Sequence, residues 1–134
     1  MQAKSLVIGL LMSLTSALAS AQESGILLSM TVQKNDQVIA KPRLLTKSDS
    51  TASMQRDQDL RIEVTPTDKE GMIHIVMKVY AAGTDGLKVI AEPRLITKRD
   101  VPSTIEFQAP GAPRYKISFV ASSHVFGTPL PATQ

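Results

Sequence analysis

Two Pro-Arg pairs, Pro42-Arg43 and Pro93-Arg94, are the residues of this chain whose chemistry stands out first. A guanidinium presents a planar fork of donors suited to a carboxylate, a phosphate or a protein partner. A proline cannot donate to a β ladder, so each pair marks a strand edge, a bulge or a strand entry. Pro42, Arg43 and Thr46, with Pro93, Arg94 and Thr97, are therefore the candidate partner-binding residues. The more ordinary expectation for each arginine is an ion pair within its own sheet, for example with Glu63 or Glu106, since opposite charges across strands are a routine stabilising device.

Met72-x-His74-x-x-Met77 is the sharpest metal-like spacing. Thioether and imidazole are soft ligands that suit copper(I). On a strand, Met72 and His74 share one face and Met77 takes the other. One strand cannot bring all three to an ion, so Met72 and His74 are the remaining metal candidates and Met77 reads as core. The sequence holds no Gly-x-Ser-x-Gly elbow and no Ser-x-x-Lys. It also holds no His-Glu-x-x-His and no phosphate-cradling Gly loop. The chain is read as a non-enzyme without a cofactor.

The elements that must position these residues are strands. Ile26, Leu28, Met30 and Val32 alternate with Leu27, Ser29, Thr31 and Gln33. The same period of two runs through Leu60–Thr65, Met72–Tyr80 and Tyr115–Ala121, which is the signature of half-buried strands. Polar or Gly-bearing turns separate them, among them Lys34-Asn35-Asp36, Asp57-Gln58-Asp59, Asp68-Lys69-Glu70-Gly71 and Gly83-Thr84-Asp85-Gly86. The Pro-Arg segment is part of a longer repeat. Val38-Ile39-Ala40-Lys41-Pro42-Arg43-Leu44-Leu45-Thr46-Lys47 returns 51 positions later as Val89-Ile90-Ala91-Glu92-Pro93-Arg94-Leu95-Ile96-Thr97-Lys98. Self-similarity of this kind means one supersecondary unit used twice. Four strands per unit, over about 26–66 and 72–121, predict an all-β domain of about eight antiparallel strands, in a sandwich or a small barrel. The domain spans 22–126, and 127–134, with Pro129 and Pro131, is read as a flexible tail.

The N-terminus reads as a signal peptide over 1–21. Lys4 is its positive end, Leu6 to Leu14 its apolar run, and Ala19-Ser20-Ala21 its cleavage site. The apolar run is too short to span a bilayer, which takes about 20 residues. No membrane insertion is expected after cleavage. The chain has no cysteine, which excludes disulfides, thiolate metal sites and a cysteine nucleophile. Export without disulfides places it in the periplasm, or secreted, from a Gram-negative envelope. Lys and Arg number 15 against 12 Asp and Glu, a net charge of +3, and cleavage would remove Lys4. The charges are interspersed and there is no tryptophan, which argues against nucleic acid.

Ala40-Lys41-Pro42-Arg43-Leu44-Leu45-Thr46, a polar turn and then Thr51-Ala52-Ser53-Met54-Gln55 resemble the Pro-Arg-Leu-x-Thr β-unit of bacterial secretins. The following Leu60-Arg61-Ile62-Glu63-Val64-Thr65-Pro66-Thr67 and Gly71-Met72-Ile73-His74-Ile75 are similar to that family's next segment. The resemblance covers about 38–80, with an echo over 87–121. It implies a shared β-unit in a small envelope protein. A ring-forming secretion channel is not implied, because such channels are several times longer. The expected function is that of a structural or interaction module with an envelope protein partner, and what the resemblance adds is a link to a secretin-type assembly. The alternative is a periplasmic protein binding a small ligand or copper.

Overall fold

The computed structural model describes residues 23–132. The expected signal peptide, residues 1–21, lies outside the described residues.

Among those described there is no helix, and ten strands follow one another: β1 (Ser24–Lys34), β2 (Gln37–Ala40), β3 (Arg43–Thr46), β4 (Ala52–Arg56), β5 (Leu60–Lys69), β6 (Met72–Gly83), β7 (Gly86–Ala91), β8 (Arg94–Lys98), β9 (Ser103–Phe107) and β10 (Tyr115–Val125). The count exceeds eight because each Pro-Arg strand is two strands. Lys41-Pro42 parts β2 from β3, and Glu92-Pro93 parts β7 from β8. A proline breaks the ladder by lacking an N–H and by restricting the residue before it. The pairing slips at the matching place in both copies, between Val32 and Gln33 for β1 on β2 and between Val79 and Tyr80 for β6 on β7.

The strands form two antiparallel sheets. The first runs β2-β1-β10-β9, with β3 also on β1; the second runs β4-β5-β6-β7, with β8 also on β6. They pack as a sandwich, and the barrel alternative is not what the chain adopts. Neither sheet is one repeat. The first unit gives β1–β3 to the first sheet and β4–β5 to the second, while the second unit gives β6–β8 to the second sheet and β9–β10 to the first. Each repeat thus crosses the sandwich, and neither has a core of its own.

The duplication extends to single hydrogen bonds. Met30 N–H donates to the Pro42 carbonyl at 2.9 Å, and Met77 N–H to the Pro93 carbonyl at 3.0 Å. Asp49 N–H donates to Pro66 and Asp100 N–H to Ala121, both at 2.8 Å. Asp49 and Asp100 hold φ of 67° and 62°, the left-handed conformation that aspartate tolerates in turns. Pro66 sits in β5 beyond the reach of β4, whose pairing ends at Ala52 opposite Val64. Its missing N–H therefore breaks no ladder on that side.

The inward rows are those that the alternation marks. Ile26, Leu28, Met30, Val32, Leu60, Ile62, Val64, Ile73, Ile75, Met77, Val79, Tyr115, Ile117, Phe119 and Ala121 form one buried cluster. Burial of such side chains contributes about 1.5–3 kcal/mol each for the larger aliphatic residues. The tight turns follow their sequences: Asn35 and Asp36 both have positive φ between Lys34 and Gln37, and Glu70 and Gly71 do so between Lys69 and Met72. Two left-handed residues match the twist of a β-hairpin.

Candidate functional site

The candidate residues occupy equivalent positions on opposite sheets. Pro42 and Arg43 lie at the β2/β3 edge of the first sheet, and Pro93 and Arg94 at the β7/β8 edge of the second. They are not brought together. Thr46 and Thr97 point inward and are 8% and 4% exposed. Each hydroxyl closes the corner that follows its strand: Thr46 Oγ1 donates to the Ser50 carbonyl at 3.3 Å, and Thr97 Oγ1 meets Ser103 Oγ at 2.6 Å. The structure thus places both threonines in corners that carry the chain from one sheet to the other, away from any surface a partner could touch.

The expected acidic partners of the arginines are engaged elsewhere. Glu63 accepts from Arg61 at 3.0 Å and from the Tyr80 hydroxyl at 2.8 Å, and Glu106 faces Lys116 at 3.9 Å. The two arginines then differ. Arg43 donates to the backbone carbonyl of Pro131, in the C-terminal tail. Arg94 is exposed and has no ion pair or hydrogen bond among the described residues.

The tail explains the difference. After β10, Gly127 adopts a φ of 85° and Thr128 Oγ1 donates to the Val125 carbonyl at 2.7 Å, turning the chain back over the outer face of the first sheet. The Phe126 ring covers Gly25 so closely that a Cβ there would meet it at 2.6 Å. Pro131 and Ala132 stand with Ser29, Thr31, Arg43 and Val120 around an open depression of about 340 Å³, and the Arg43 bond to the Pro131 carbonyl closes one side of it. Leu27 lies between these two contacts on the same face and is only 1% exposed. Residues 127–132, read from sequence as a flexible tail, are irregular and exposed, and are tied down by the Thr128 bonds to Val125 and His124 and by the Arg43 bond to Pro131.

Register matches each residue of this covered face with one on the second sheet. Ile26 pairs with Thr46 as Ile73 does with Thr97, and Ser29 pairs with Arg43 as Val76 does with Arg94. The counterparts of Gly25, Leu27, Ser29 and Leu45 are thus Met72, His74, Val76 and Ile96. No part of the described chain crosses this second face. Val76 is 42% exposed and Ile96 59%, the largest exposure of any bulky apolar residue described. A shallow depression of about 320 Å³ is lined by His74, Ile75, Val76, Arg94, Leu95 and Ile96. Another of about 190 Å³ continues across Val76 to Lys78, Thr65, Glu63 and Thr51. Val76 borders both, so the two depressions adjoin along a shallow, interrupted groove.

Met72 and His74 share this outer face, as the alternation requires, and Met77 is core. Among the described residues no three His, Cys, Asp or Glu side chains gather where they could hold a metal. Sequence reasoning singled out Arg94 but missed Val76 and Ile96, which read as ordinary members of strand patterns. Only the inequality of the two outer faces marks them. No protein-family model, curated protein or solved structure matches this chain.

Proposed function

We propose that this chain is a small exported envelope protein that acts as an interaction module, and that its contact face is the outer face of the second sheet. One observation carries the reading: an uncovered strip of Val76, Ile96 and Arg94 stands where the equivalent strip of the first sheet is covered. Aliphatic side chains beside an arginine suit a protein partner, because contact buries the apolar surface while the guanidinium anchors polar groups. Face docking suits this sandwich better than strand addition, because the Pro42 and Pro93 breaks leave only short strands along two of its edges, a device that discourages edge pairing.

Site-specific photo-crosslinking in envelope preparations tests the proposal. A photoreactive group at Ile96 is expected to give one dominant product that disappears with Arg94→Glu. The same group at Glu106, exposed on the outer side of β9 in the first sheet, is expected to give none. Equal patterns from the two positions, or no product from Ile96, would sink the reading.

A further inference from the structure

The covered face of the first sheet shows what kind of segment this β-unit accepts. We infer that the groove on the second sheet binds an extended, proline-bearing peptide segment of a partner protein, held as residues 127–132 are held on the first sheet, with Arg94 donating to one of its backbone carbonyls. The inference rests on the reading of this face as a contact surface and adds the chemistry of the occupant.

Three observations argue for it. The two faces come from the same duplicated unit, with equal register and equivalent bulges. On the first, Arg43 takes a carbonyl from a stretch containing Pro129 and Pro131. On the second, the equivalent Arg94 has no partner among the described residues, and the side chain opposite it is the aliphatic Val76 where the first sheet has Ser29.

The chemistry of the occupant follows. A segment already extended by proline loses little conformational entropy on docking, so a shallow groove can hold it. Its prolines leave fewer N–H groups to desolvate against the sheet, while their carbonyls remain strong acceptors for a guanidinium. One difference narrows the fit. On the first sheet an aromatic ring fills the space over Gly25, whereas the second sheet has Met72 there. The occupant therefore needs no aromatic residue at that end, and the matching part is the proline stretch alone.

The chain's own tail does not serve as this occupant within one molecule, because Arg43 on the first sheet already holds its Pro131 carbonyl. A second copy would have to release its tail from that site first. An independent partner segment avoids that competition.

A synthetic peptide with the sequence of residues 127–132 is the probe. It is titrated to millimolar concentration into the purified protein carrying labelled isoleucine, leucine and valine methyl groups. Saturable shifts at Ile96 and Val76 are expected. They should weaken about tenfold, equivalent to about 1.4 kcal/mol, in Arg94→Ala, and stay unchanged in Lys88→Ala. Absence of saturable shifts at Ile96 and Val76 overturns the inference. So do shifts confined to Leu27, which would mean exchange with the resident tail. Shifts at Ile96 that track protein concentration without peptide also overturn it, and assign the face to a second copy. If the peptide fails while crosslinks still form from Ile96, the contact face stands and only the occupant's chemistry falls.

Discussion

Glu63 sits half-buried in the middle of β5, and its bond to Tyr80 couples two side chains to pH in opposite directions. Its carboxyl accepts from the Tyr80 hydroxyl and from Arg61, whose guanidinium lies 5.9 Å from the Tyr80 ring centre. The Tyr80 bond is the main cause that holds the carboxyl below its ordinary value; partial desolvation opposes it, and Arg61 and then Lys78 add to the lowering. The same bond to Glu63 leads the causes that raise Tyr80 above 10.0. A lowered carboxyl adds stability above its unfolded value, and that stability is lost as pH falls through the folded one. A raised tyrosine works the other way: its contribution is whole below the unfolded value and is lost as pH rises through the folded one. Tyr80→Phe removes the largest cause acting on Glu63. The Glu63 carboxyl should then titrate at a higher pH, and the alkaline limb due to Tyr80 should vanish. Side-chain carboxyl NMR titration of the two proteins reads this directly, and an unmoved Glu63 curve would refute it.

At the scale of elements, the informative comparison is between the two copies of the unit, because they differ where function is inferred. Gly25 is buried and the Phe126 ring lies over it, with the Thr46 carbonyl 2.9 Å from any added Cβ. Gly25→Ala should therefore lift the tail and cost about 1–3 kcal/mol, the usual range for overpacking. Phe126→Ala in the same chain should recover only part of this, because the Thr46 carbonyl stays in place. Urea midpoints of the two single variants and the double variant measure the coupling; strictly additive losses would show that ring and glycine do not meet. Much of this architecture was legible in the sequence. Period-two alternation marks every inward row, since side chains on strands switch faces at each residue, and the repeat around Pro42 and Pro93 reveals the duplicated unit. The exchange of strands between sheets was not legible, because alternation says which face is buried but not which strand lies alongside. Nor was the tail. Its contacts with Gly25 and Arg43 join residues far apart in sequence, and no local pattern encodes them. The groove stayed hidden for the same reason: Val76 and Ile96 stand out only once their counterparts are seen to be covered.

Across the whole molecule, the pseudo-symmetry places chemically equal residues in kinetically unequal positions. Ile62 and Ile117 are equivalent, and both are 0% exposed. Ile62 pairs with Val79 across a two-residue turn, whereas Ile117 pairs on one side with Ile105 of the edge strand β9 and on the other with Val32, near the other end of the domain. Closing the larger loop costs more chain entropy before any contact repays it. The β5–β6 hairpin at the centre of the second sheet should therefore be ordered in the folding transition state, while β1 and β10 join late. Ile62→Val and Ile117→Val each remove one methylene from the same core and should cost similar amounts, about 0.5–1.5 kcal/mol. Their kinetics should diverge. Ile62→Val should act mainly by slowing folding, and Ile117→Val mainly by speeding unfolding, because a change partitions between the two rates according to how far its contacts are formed at the barrier. Stopped-flow folding and unfolding rates against denaturant resolve the two. If both variants shift the same limb, the transition state follows the symmetry of the fold and not the order of the chain.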